Sequence, residues 1–171
     1  RKISFYNLEG KSQSKNFQIE IDYSPSNLIN LRFAYKDYDV KADFRKGYLR
    51  VPMIAKTRFF SNISFESERN TKGAQWRYDF THHFIGKQRY FSNQEISSSN
   101  FSPNYSLINS QITRAIDYNL ELYLGSENIG NYTQKKPIVD SENPFGPDFD
   151  TSQIYAPIFG RMIYLGLRWN L

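Results

Sequence analysis

Residues 17–35 read FQIEIDYSPSNLINLRFAY, and their alternation decides the fold class. Phe17, Ile19, Ile21 and Tyr23 stand at every second position, separated by Gln18, Glu20 and Asp22. Ser24-Pro25-Ser26-Asn27 then interrupts the pattern with turn-forming residues. Beyond it, Ile29, Leu31, Phe33 and Tyr35 alternate with Asn30, Arg32, Ala34 and Lys36. Successive side chains of a strand point to opposite faces, so this spacing predicts a hairpin with one apolar and one polar face. A helix would place apolar residues three and four apart, and that period is nearly absent from the chain.

The two-residue period recurs downstream. Phe59, Ser61, Ile63 and Phe65 oppose Arg58, Phe60, Asn62, Ser64 and Glu66. Trp76, Tyr78, Phe80 and Phe84 share a face opposite Arg77, Asp79 and Thr81. Residues 105–114 form a weaker strand, and Leu120, Leu122 and Leu124 mark another. The last runs over 160–171, with Ile163, Leu165, Leu167, Trp169 and Leu171 on one face. With the fragmentary Lys2–Leu8, the count is about eight strands. Connections near 24–27, 68–73 and 115–118 are short; those near 9–14, 41–54, 90–104 and 131–159 are longer. They alternate strictly, which predicts an antiparallel up-and-down meander. Short turns on one rim and long loops on the other are the pattern of a transmembrane β-barrel.

Composition is compatible with that reading. The 171 residues suffice for one domain, carry a net charge of +5 and contain no cysteine, which excludes disulfides and thiol chemistry. Aromatic residues make up 17% of the chain. No apolar run approaches the ~20 residues of a membrane helix, and no signal peptide is visible. Neither excludes a barrel, which spans with alternating residues. The first residue is Arg1, which is read as a processed start or as a piece of something longer. The polar positions Glu20, Asp22, Arg32, Lys36, Arg58, Glu66, Arg77, Asp79 and Glu121 are expected on one face. A closed eight-stranded barrel has little interior room and would need those charges tightly paired, whereas a wide lumen hydrates them.

Residues that carry chemistry elsewhere are sparse. His82 and His83 are adjacent, so on a strand they point to opposite faces and cannot jointly hold a metal. Asp148 and Asp150, with Ser152, offer oxygen ligands in part but lack the glycine and distal glutamate of a calcium loop. No nucleophile elbow or phosphate-cradling loop is present, so neither an enzyme nor a cofactor is expected. Lysine and arginine are scattered rather than clustered, which argues against nucleic acid. Tyr35, Tyr38, Tyr90, Phe91, Tyr155 and Trp169 fall near strand ends, where membrane girdles sit. Lys41, Arg45, Lys46 and Arg50 lie near the loop rim, within reach of lipid headgroups.

The final third carries motifs of a known kind. Glu121-Leu122-Tyr123-Leu124-Gly125-Ser126-Glu127-Asn128-Ile129-Gly130-Asn131-Tyr132 resembles the penultimate strand of TonB-dependent outer-membrane receptors, which runs into a GxxNxxNY stretch. Asn143-Pro144-Phe145-Gly146, Pro157-Ile158-Phe159-Gly160-Arg161 and Ile163-Tyr164-Leu165-Gly166-Leu167-Arg168 follow in the order of the closing hairpin of such receptors from Bacteroidetes. Trp76–Thr81 and Gly86–Arg89 also fit that group. The resemblance implies the C-terminal part of a plugged barrel of about 22 strands in the outer membrane of a Gram-negative bacterium. It implies energised uptake of a scarce solute such as a metal chelate, a cofactor or a glycan. The plug domain, the earlier strands and the contact with the energy-transducing inner-membrane complex are not in these residues. The expected partners are outer-membrane lipid, the barrel-assembly machinery, and the rest of the same receptor. In this family the last strand resembles an assembly signal, here Ile163, Leu165, Leu167, Trp169 and Leu171, although Leu171 stands where the family has Phe. Solute contact is expected from the long loops, at Tyr38, Arg45, Tyr48, Arg50, Asp148 and Asp150. The rival reading is a complete eight-stranded barrel with an adhesive or structural role.

Overall fold

The computed structural model describes residues 7, 10–45, 47–91 and 100–170. Alternating β-branched and aromatic residues give eight strands and, among the described residues, no α-helix. They are β1 (Ser12–Ser26), β2 (Ile29–Phe44), β3 (Gly47–Arg50), β4 (Thr57–Glu66), β5 (Gln75–Ile85), β6 (Tyr105–Ala115), β7 (Leu120–Glu127) and β8 (Met162–Trp169). Seven make one antiparallel meander in the order β1-β2-β4-β5-β6-β7-β8, and β3 pairs with the far end of β2. The sheet is open: β1 and β8 are its two edges and do not pair with each other. The expected antiparallel, up-and-down, all-β architecture is therefore present, but closure into a barrel is not.

The strand count of eight is reached differently from the sequence reading. Lys2–Leu8 lies outside the described residues except for Asn7, which is not in a strand. The eighth strand is instead β3, inside the stretch expected as the 41–54 loop. The expected 9–14 connection is likewise strand from Ser12 onward. The cause is mutual: β1 and β2 keep pairing from Asp37 to Ala42, beyond the point where β4 has ended at Thr57. The first turn also moves, to Asn27-Leu28, because Ser26 pairs with Ile29 across an irregularity that takes in Pro25. A proline has no N–H for a ladder, and an edge strand with a bulge is where one is tolerated. Lys46 and Leu171 lie outside the described residues.

Register settles the faces. Tyr23 opposes Leu31, Leu31 opposes Ile63, Ile63 opposes Phe80, and Tyr78 opposes Ile112. Ile112 opposes Leu124, which opposes Leu165. One mainly apolar face thus crosses all seven strands, with Ser61, His82, Ser106, Ser110, Arg114 and Ser126 set into it. The nine polar and charged positions expected on one face do share the opposite one, through pairs such as Asp22 with Arg32 and Glu66 with Arg77. Among the described residues, the buried apolar side chains are Pro52 and four alanines: Ala42, Ala55, Ala115 and Ala156. The large apolar residues are outside, with Leu165 78% and Ile163 71% exposed. This is a wall with no core of its own.

The polar face is knit by specific pairs. Arg32 Nε meets Asp22 Oδ1 at 2.5 Å, and Glu121 bridges Arg77 and Arg168 across three strands. At the β7–β8 seam Tyr123 opposes Gly166 and Tyr164 opposes Gly125. Each ring lies over the opposing glycine, where a Cβ would collide with it. Tyr164 Oη also donates to Gln111 Oε1 at 3.0 Å, which fixes its direction. Glycine in a strand is costly alone, and a cross-strand aromatic that covers it recovers the loss.

Candidate functional site

The short-turn rim is closed by local caps. Asp117 Oδ1 accepts from the N–H groups of Asn119 and Leu120 at 2.8 and 2.9 Å, and Asn70 Oδ1 accepts from those of Lys72 and Ala74. The two turns also touch, with the Arg69 guanidinium 5.8 Å from the Tyr118 ring centre. The long-connection rim is built differently, and the polar wall below it holds the candidate site.

There the β1–β2–β3 ribbon rises past the end of β4. Along β2 the alternation is unbroken, yet its chemistry inverts. Ile29, Leu31, Phe33 and Tyr35 lie on the apolar face of the sheet, and Asp37, Asp39, Lys41 and Asp43 continue that same face. On the other side Asn30, Arg32, Ala34 and Lys36 give way to Tyr38, Val40, Ala42 and Phe44. Neighbouring strands follow: Gln13, Lys15, Tyr48 and Arg50 share the charged side, and Leu49 opposes Ala42 on the apolar one. That apolar side is covered by the connection after β5. The Arg89 guanidinium lies 5.4 Å from the Phe44 ring centre, Arg89 Nε donates to Arg50 O at 2.6 Å, and the Met53 N–H donates to Arg89 O. Burial lowers the Arg89 pKa from its ordinary value.

The two long connections at 86–104 and 128–161 lock to each other through buried polar side chains. Gln134, 7% exposed, donates from Nε2 to Gln153 O at 2.8 Å while its Oε1 accepts from the N–H groups of Tyr155 and Ala156. Tyr155 O in turn accepts from Gln88 Nε2 and Tyr105 Oη. Tyr105 and Tyr132 stack with centroids 5.0 Å apart, and Tyr155 closes on Tyr90 and Tyr105 at 5.8 and 6.0 Å. Burial, then the neighbouring Tyr132, push the Tyr155 phenol well above its ordinary range. Burial likewise raises Tyr90. Asn128 and Asn131 of the GSENIGNY stretch adopt positive φ of 50° and 52°, which asparagine tolerates. Asn128 holds both backbone groups of Tyr132, and Asn131 Oδ1 accepts from the Arg161 N–H, so the motif ties the two ends of the long connection.

The residues expected to contact a solute are dispersed. Tyr38 faces the polar side, with Lys36 Nζ 4.8 Å from its ring centre. Arg50 Nη2 donates to Tyr38 O at 2.5 Å and so braces the ribbon. Tyr48 is on the opposite side and donates to Gln13 Oε1 at 3.2 Å. Arg45 sits at the β2–β3 turn. Asp150 Oδ1 accepts from the Ser152 N–H and Oγ, capping its own turn, while Asp148 is exposed near the loop tip. Among the described residues no three metal-ligating groups come together. His82 lies on the apolar face with Nε2 3.0 Å from Ser106 Oγ, and His83 on the polar face against Phe60, as their adjacency predicts. Tyr90 and Tyr155 belong to the connection cluster and Tyr38 to the polar side, so they do not join Tyr35 and Trp169 in an outward girdle. The sequence points to Gln88 and Arg89 only within the Gly86–Arg89 stretch, without a role, and does not single out Gln134; the roles of all three depend on distant backbone groups that no local pattern announces.

No protein-family model matches the chain, and no curated protein or solved structure is significantly similar to it.

Proposed function

We propose that this chain is part of the barrel wall of an outer-membrane receptor of the TonB-dependent type, one that takes up a scarce solute with energy supplied from the inner membrane. The observation that carries the reading is the mainly apolar face shared by seven strands, ending where β2 turns charged at Asp37. Soluble monomers rarely expose an apolar patch beyond a few hundred Å². On β1, β2, β4, β5 and β8 the apolar stretches run from seven positions (Phe17–Tyr23) to nine (Trp76–Phe84), or about 20–26 Å along the strands, against a lipid-facing band of about 25 Å in outer-membrane barrels. Lipid explains both the band and its sharp upper limit. At the short-turn end, Trp76 with Arg114 over its ring at 4.8 Å, Tyr78 and Trp169 supply the interfacial aromatics.

The unpaired edges at β1 and β8 support a share in a larger barrel over a complete eight-stranded one, whose first and last strands would pair. The test is fractionation of the full-length gene product. The expected result is recovery in the outer membrane with migration that changes on heating, and solute accumulation lost when the gene is deleted or the proton gradient collapsed. Recovery in a soluble fraction would overturn the reading. The isolated segment, with two exposed edges, is expected not to give a monodisperse monomer in detergent.

A further inference from the structure

Register organises the polar face into cross-strand rows. The row nearest the long connections reads Gln18, Lys36, Arg58, Ile85, Tyr105. It places two cations directly opposite each other on β2 and β4, a repulsive arrangement that an anion between them would relieve. No carboxylate in the described residues answers them. Lys36 Nζ lies over the Tyr38 ring, and the Arg58 guanidinium makes no hydrogen bond or ion pair there. Glu20 is one row down on the edge strand β1, bound by Gln18 and two strands away from Arg58. Asp22 is taken by Arg32, and Glu121 by Arg77 and Arg168. Asp79 is three rows away, about 20 Å along the strands. His83 stands in the next row, opposite Phe60, and Tyr105 in the same row as Arg58. Beside it, Tyr105 and Tyr132 stack as flat rings.

We infer that Lys36 and Arg58 form an anion subsite on the wall, taking a carboxylate or phosphate group of the transported solute while its body lies against the tyrosines. This rests on the receptor reading above and narrows the solute to an anionic class. Arginine suits the role because its planar fork matches such groups bidentately.

The full-length receptor, purified in detergent, is heated with citrate or with chloride at matched ionic strength, and the midpoint of its heat-dependent gel shift is read. Citrate raises the midpoint of the wild type. The double variant Lys36→Gln/Arg58→Gln loses that rise or needs at least about tenfold more citrate, and Lys87→Gln keeps it. Without citrate, at low ionic strength, Arg58→Gln melts no lower than the wild type, because a repulsion has been removed. Equal citrate shifts in wild type and double variant overturn the inference, as does no shift in either. A lower midpoint for Arg58→Gln without citrate also overturns it, since a carboxylate of the receptor itself would then hold the guanidinium. A protein that is not a heat-modifiable barrel breaks the receptor reading; an intact barrel indifferent to these changes breaks only the subsite.

Discussion

Along β2, the half that pairs with β4 and the half that pairs with β3 have the same backbone and opposite chemistry. From Ile29 to Tyr35 the odd positions are apolar; from Asp37 to Asp43 they are charged. The pairing with β1 continues through that point while β4 ends there, so what changes is what lies beside and against the strand. The lower half presents its apolar side away from the polar wall, and no described residue covers it. The upper half turns its apolar side inward, where Arg89 and the neighbouring connection cover it. The lesson is that strand formation and burial are separate decisions: period two specifies the first, and which parity is apolar specifies the second.

Substitutions can break this contrast. Ile63→Arg, at the centre of the apolar face, is expected to cost up to about 4 kcal/mol in lipid. Ser64→Arg, one position on and facing Asp79 across the ladder, is expected to stay within about 0.5 kcal/mol of the parent. Urea unfolding in vesicles measures both, and similar costs at the two positions would show that lipid does not cover the odd face. In the upper half the sensitive parity is reversed. Ala42→Asp buries a charge at a position 3% exposed and is expected to cost about 2–3 kcal/mol and loosen the ribbon. Lys41→Leu, its neighbour on the charged side, leaves the ribbon protected in hydrogen exchange.

Smaller effects test how the two connections are held. Gln134→Ala leaves Tyr155, Ala156 and Gln153 backbone groups unpaired, at a cost of about 1–2 kcal/mol. Limited proteolysis should then cut within 137–152 faster, with the band strands untouched. The smallest effect is alkaline. Tyr155 and Tyr90 hold their protons above the ordinary tyrosine value, so the unfolded loop ionises first. Their contribution is complete below about pH 10 and declines as pH rises beyond it toward the raised values. Proteolysis of the same loop against pH should stay flat up to that point and rise after it. A rise between pH 6 and 8 would point to a different group.

Most of the wall was legible because a strand writes its two faces into alternate residues. Phe59 to Phe65, Trp76 to Phe84 and Ile163 to Trp169 could be assigned to a face from spacing alone, and register then joined them. The strand ends were less legible. β1 and β2 extend each other past the loops expected at 9–14 and 41–54, and β3 forms only because β2 is already there to pair with. The aromatic residues near strand ends were ambiguous for the same reason: Tyr35 and Trp169 look outward, whereas Tyr90 and Tyr155 gather with Tyr105 and Tyr132.

What the sequence by itself determined is the period, the polarity of each face and the alternation of short and long connections, because all three are set by neighbours a few residues apart. Tertiary structure alone decided that the seven apolar faces align into one, that the sheet stays open, that Gln134 clasps a segment some twenty positions away, and that Lys36 meets Arg58. Each of these depends on register between strands, and register is fixed by pairing across the sheet rather than by any stretch of chain read alone.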